Sequence, residues 1–159
     1  MQNFNDKIEA WDVVVVNYAR RMAVPFARFA LFLIYFYFGA IKVFAEQGAA
    51  NPIVKALLNS TMPGVSPEGF LIAFGVFEMI IGILFIVPKL ERLGIFLLAL
   101  HIITTIMPLF VLPEFTWTSF MVPTIEGQYI IKNILIIAVA IVTLASLRTF
   151  KEERQDKNV

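Results

Sequence analysis

Four apolar runs dominate this chain and restrict its fold more than any other feature. They cover residues 25–44, 67–87, 93–112 and 127–147. Each approaches the roughly 20 helical residues needed to cross a hydrocarbon core about 30 Å thick. In lipid every backbone N–H and C=O must be satisfied inside the segment, so each run is predicted to be a helix. The alternating ten-residue segments of a membrane barrel are not visible. The expected fold is all-α, a polytopic membrane protein with a four-transmembrane-helix bundle over residues 24–147. An interfacial amphipathic segment precedes it at 1–23, and a charged tail follows at 148–159. Composition agrees: 59% of the residues are hydrophobic and 16% charged, against about 45–50% and 25% in soluble domains.

The same numbers exclude several classes. A net charge of +1 offers no basic surface for nucleic acid, and the absence of cysteine removes disulfides, thiolate metal sites and thiol redox chemistry. A single histidine rules out a histidine-cluster metal site or bis-histidine haem in one chain. No nucleophile elbow, glycine-rich phosphate loop or paired-carboxylate metal motif occurs. No metal is therefore expected.

Basic residues set the expected orientation. Lys7, Arg20 and Arg21 precede the first run, Lys89 and Arg92 lie in the second loop, and Arg148, Lys151, Arg154 and Lys157 fill the tail. The first loop has only Lys55, and residues 113–126 have neither lysine nor arginine. The positive-inside rule then places both termini in the cytoplasm and the first and third loops outside, with Trp11 and Trp117 as interface anchors. Asp6, Glu9 and Asp12 read against a cleavable signal peptide. Ile8, Trp11, Val15 and Tyr18 recur at helical spacing, as in a helix lying on the inner leaflet. Pro25 and Pro67 suit a first helical turn, with Ser66 as N-cap. Asn51 and Pro52 open a short helix at the outer interface, with Ile53, Val54, Leu57 and Leu58 on its apolar face. The third loop is too apolar for a solvated linker and is expected to fold over the outer end of the bundle.

An ionisable residue at the bilayer centre costs about 2.5–3.5 kcal/mol on insertion scales, so each one needs a reason. Glu78 and His101 fall near the middle of the second and third runs; Lys42, with Glu46 a turn beyond, lies near the outer end of the first. Lys132 and Asn133 lie below the outer end of the fourth. Arg28 sits one turn from the inner surface and is expected to snorkel to headgroups. Helical spacing groups Gly75, Glu78 and Gly82 on one face, His101, Thr105 and Pro108 on another, and Glu126, Tyr129 and Asn133 on a third. The candidate ligand-binding residues are therefore Glu78, His101, Lys42, Lys132, Asn133, Thr105 and Tyr129, gathered in one polar pocket open toward the outside. Each also has a structural reading. Glu78 and His101 can pin helix register, the two lysines can snorkel, and the threonine can bond its own helix backbone.

Several segments in order resemble the DoxX-like superfamily of small four-helix membrane proteins. They are FGAIK ending at Lys42, FGVFEMIIGILFIVPKLERLG around Glu78 and Gly82, HIITTIMPLF from His101, and PTIEGQYIIKN through Asn133. The resemblance covers residues 28–146. Some members are subunits of a thiosulfate:quinone oxidoreductase and others are linked to oxidative-stress resistance. The resemblance thus implies a redox-associated subunit of a cell membrane, most simply the bacterial inner membrane, with a membrane redox partner or a homo-oligomer around it. It brings no agreed catalytic residues, so the roles of Glu78 and His101 rest on this chain alone. The expected function is binding of a quinone or similar lipophilic small molecule. The alternatives are a non-catalytic assembly subunit and an oligomeric small-solute transporter or channel.

Overall fold

Local chemistry at the ends of the apolar runs fixes where the helices start and stop. The computed structural model describes residues 2–45 and 52–148. Glu46, Asn51 and the tail beyond 148 lie outside the described residues. The elements are α1 (Gln2–Phe44), α2 (Pro52–Thr61), α3 (Pro67–Ile86), α4 (Glu91–Ile106), α5 (Pro108–Val111), α6 (Pro113–Thr116), β1 (Trp117–Ser119), β2 (Val122–Pro123), α7 (Ile125–Ile131) and α8 (Asn133–Ala145). Four helical stretches are long and apolar enough to cross a membrane: Asp6–Phe44, Pro67–Ile86, Glu91–Val111 and Ile125–Ala145. Ser66 caps α3 by accepting from Gly69 N at 3.4 Å, with Pro67 in the first turn, where its missing N–H costs nothing. Thr124 caps α7 in the same way, its hydroxyl accepting from Gly127 N at 3.1 Å.

Pro25 does not start a helix. It lies inside α1, which runs 43 residues without interruption. A proline within a helix loses one backbone hydrogen bond and crowds the carbonyl four residues earlier. Here that carbonyl belongs to Arg21, beside the paired basic residues expected at the membrane edge, where water can satisfy it. Residues before Pro25 continue the helix away from the bundle, and Ile8, Trp11, Val15 and Tyr18 are all exposed.

The other departure from an all-helical reading is small. Residues 113–123 form the short helix α6 and a two-stranded antiparallel hairpin, β1 paired with β2. Its position just before α7 is held by specific bonds. The Thr124 hydroxyl donates to Phe115 O at 2.8 Å, Trp117 Nε1 donates to Leu109 O at 3.1 Å, and Thr124 N donates to Thr116 O at 3.0 Å. The hairpin and α2 mark one end of the bundle, called the hairpin end below; the α3–α4 turn marks the other.

In lipid, water exclusion does not drive helices together, so close backbone approach and polar contacts must do so. The α1–α3 pair uses both. A Cβ on Gly39 would lie 2.5 Å from Gly75 O, one on Gly75 would lie 2.7 Å from Gly39 O, and one on Gly82 would lie 2.8 Å from Phe36 N. Only hydrogen fits there. Toward the α3–α4 turn, Leu31, Ile81, Phe85, Leu98, Ile102 and Ala140 form the packed core.

Arg28 is held by protein partners. Its Nη1 pairs with Glu91 Oε1 at 2.8 Å and its Nε donates to Phe85 O at 2.7 Å. That carbonyl lies in the last turn of α3, where no intrahelical donor remains. Arg28 therefore closes the end of α3 and neutralises Glu91, which is 7% exposed. The turn half of the bundle thus holds a partly buried ion pair between Arg28 and Glu91.

Candidate functional site

The glycine seam decides which polar groups meet. Gly39 and Gly75 bring α1 and α3 into backbone contact, and Lys42 and Glu78 each lie three residues further on. Lys42 Nζ reaches Glu78 Oε2 at 2.5 Å. From α4, His101 Nε2 meets the other carboxylate oxygen, Glu78 Oε1, at 2.9 Å. His101 Nδ1 faces the Tyr35 hydroxyl of α1 at 3.3 Å. One assignment satisfies every group: the Tyr35 hydroxyl donates to Nδ1, His101 Nε2–H donates to Glu78, and the Lys42 ammonium donates to Glu78. Tyr35, Glu78 and His101 are 3%, 5% and 5% exposed, so this chain runs from the packed core toward the surface. Among the described residues no buried side-chain nitrogen or oxygen lacks a partner.

Aromatic rings hold the histidine in place. Phe74 stacks on His101 with centroids 4.8 Å apart and planes at 20°, and Tyr35 meets it edge-on at 5.0 Å. Lys42 Nζ lies 5.9 Å above the centroid of the same Phe74. The imidazole can neither rotate nor tilt without losing a ring contact or a hydrogen bond.

These groups line one wall of a cavity of about 700 Å³ in the hairpin half of the bundle. That size falls within the roughly 300–1,000 Å³ of small-molecule pockets. Every candidate from the sequence lines it: Lys42, Glu78, His101, Thr105, Tyr129, Lys132 and Asn133. They are not equally placed. Lys42, Glu78 and His101 form the connected chain. Asn133 Nδ2 donates to Thr105 Oγ1 at 3.5 Å, and that hydroxyl in turn donates to Ile102 O at 3.0 Å. Lys132 and Tyr129 sit at the exposed margin, with Lys132 Nζ 5.1 Å from the Tyr129 ring centroid. Lys132 is also the residue that joins α7 to α8, with right-handed helical backbone.

Sequence reasoning did not single out Phe70 or Phe74, which supply apolar wall, and it offered Tyr35 only with Phe29, Phe32, Phe36, Tyr37 and Phe38 as first-helix aromatics that could flank a flat ring. Of the aromatics named on the first helix, Tyr35 and Phe38 line the cavity, whereas Phe29 and Tyr37 are exposed and do not. Spacing from Lys42 could have found Tyr35: seven residues is two helical turns, placing both on one face.

The wall combines apolar surface with a few fixed polar groups. The formal charges that line it, Lys42 and Lys132 against Glu78 and Glu126, cancel. No grouping of acidic and histidine side chains suited to a metal occurs among the described residues. Fold and site together define a membrane-length helical bundle with a buried ionisable chain on the wall of a neutral, largely apolar cavity. No family model, curated protein or solved structure matches this chain.

Proposed function

We propose that this chain is a membrane-embedded binding subunit of the DoxX-like kind whose cavity takes a quinone or similar lipophilic small molecule. The observation that carries the reading is the Lys42–Glu78–His101–Tyr35 chain on the wall of an apolar cavity. An ammonium has three N–H donors and Glu78 takes one of them, so Lys42 can also donate to a ligand carbonyl. Phe74 and Phe38 add aromatic surface to the wall beside it. In the orientation given by the positive-inside rule, the cavity lies in the outer half of a cell membrane, with both termini cytoplasmic and α2 at the outer interface. Quinone chemistry places the chain beside a redox partner.

A second reading has its own support. Among the described residues every buried side-chain nitrogen and oxygen already has a partner, as expected of a network that fixes helix register in an assembly subunit. A transport path has less support, because among the described residues Leu31, Ile81, Phe85 and Leu98 pack the turn half and its charged groups, Arg28 and Glu91, are paired with each other.

The test is mass spectrometry and absorption spectroscopy of the organic extract of gently purified protein, wild type beside Glu78→Gln and His101→Ala. The binding reading expects a stoichiometric small molecule in the wild type that is lost from the folded variants. Well-folded wild-type protein with an empty extract, and no uptake of added quinone, favours the assembly subunit.

A further inference from the structure

We propose that the cavity opens sideways into lipid, between α1 and the α7–α8 junction, and admits a neutral, single-tailed amphiphile from the bilayer. This deepens the pocket reading above and rests on it. The polar head lies inside against Lys42 and Phe74, and the tail leaves through the gap.

Four observations converge on this path. First, among the described residues α1 packs along α3 and α8 but makes no comparable contact with α7, so the described wall is incomplete on that side near the hairpin end. Second, the side chains bordering the gap face two ways. Ile34 and Phe38 of α1 and Leu135 of α8 line the cavity yet are 38%, 53% and 66% exposed, so they belong to the perimeter as well. Third, the two edges match in depth. At 1.5 Å of rise per residue, Ile34 lies about 15 Å below the Phe44 end of α1, and Leu135 lies about 15 Å below the start of α7. An opening there faces acyl chains rather than water. Fourth, the other directions are occupied. The apolar face of α2, including Leu57, lines the cavity at the hairpin end while α2 packs on α3 and α5. The core around Phe85 closes the turn side.

The chemistry of the gap selects the ligand. Its deeper margin is apolar, and Lys42 and Lys132 lie toward the hairpin end. A molecule with one polar head and one apolar tail matches that gradient. Because the charges on the wall cancel, a net charge on the head would enter low-dielectric surroundings without a counter-charge, which disfavours anions and cations alike.

The experiment compares two benzoquinone probes with the same ring, decylubiquinone and its tail-less 2,3-dimethoxy-5-methyl analogue. Binding to full-length protein in phosphatidylcholine nanodiscs is measured against empty nanodiscs. Leu135→Trp narrows the gap, and Ile141→Trp places the same bulk on an exposed α8 position that does not line the cavity. Thermal melts confirm that both variants fold. The expected result is at least a tenfold loss of decylubiquinone binding in Leu135→Trp, a change under twofold for the tail-less probe, and no effect of Ile141→Trp. If wild-type protein binds the probes and Leu135→Trp weakens both equally or neither, the lateral path is wrong and the pocket reading survives. If wild-type protein retains neither probe, or phosphatidylcholine alone fills the cavity, both readings fall.

Discussion

Glu78 and Lys42 form an ion pair whose two halves differ in burial, and that difference has a measurable consequence. The Glu78 side chain is 7% exposed and the Lys42 side chain 26%. Replacing Lys42 with Met leaves the carboxylate with the imidazole N–H as its remaining donor and no countercharge. Removing one partner of a buried pair typically costs about 3–5 kcal/mol. Replacing Glu78 with Gln acts differently: the amide oxygen still accepts from His101, and Lys42, two residues from the end of α1, can turn its ammonium toward the interface. One charge-assisted hydrogen bond is then lost, about 1.5–3 kcal/mol at most. The order Lys42→Met worse than Glu78→Gln is thus fixed by geometry, and the double variant is expected close to Glu78→Gln alone, since it buries no orphan charge. Reversible unfolding in mixed micelles, followed by circular dichroism, gives all three values and their coupling. Equal costs for the single variants, or additivity in the double, would show that the pair is not the buried contact described here.

Three further outcomes follow from other contacts. Gly75→Ala is expected to destabilise by about 1–3 kcal/mol through overpacking, because its Cβ meets the Gly39 carbonyl and Lys42 Cβ, whereas a Cβ on Gly69 meets only Ser66 at 3.8 Å and Gly69→Ala should be neutral or better; melting both in one detergent checks this. Arg28→Met strands Glu91 and frees the Phe85 carbonyl, so it should cost about 3–5 kcal/mol, more than Glu91→Gln, in the same unfolding assay. Tyr35→Phe removes the hydroxyl facing His101 Nδ1; it should cost about 1 kcal/mol and redistribute the imidazole tautomers, visible in the ring nitrogen shifts by NMR.

The sequence made the spanning helices legible because lipid imposes length and composition, and both can be counted along the chain. It also grouped Glu78, His101, Lys42, Thr105, Tyr129, Lys132 and Asn133, since helical spacing gives a residue's rotation and position along its helix gives its depth. Which neighbour each rotation meets is tertiary information. Arg28 therefore looked like a snorkelling cation, and nothing local singled out Glu91 as its partner, although the two pair at 2.8 Å. Phe74 was one phenylalanine among 16, with nothing local to mark it as the ring under His101. Pro25 misled for the opposite reason. A proline before an apolar run has the local chemistry of a helix start, and only the continuous helix on both sides shows that it is interior.

The glycine seam also divides the molecule mechanically. Backbones in contact at Gly39, Gly75 and Gly82 leave no side-chain layer to slide or compress, so α1 and α3 behave as a single stiff plate carrying Tyr35, Lys42 and Glu78. α7 is held differently: Gly127 packs against the Thr116 carbonyl and Pro123, which ties it to the hairpin rather than to α1. The spacing of Tyr35, Lys42 and Glu78 is therefore set by backbone contact, and a ligand must fit that fixed wall rather than reshape it.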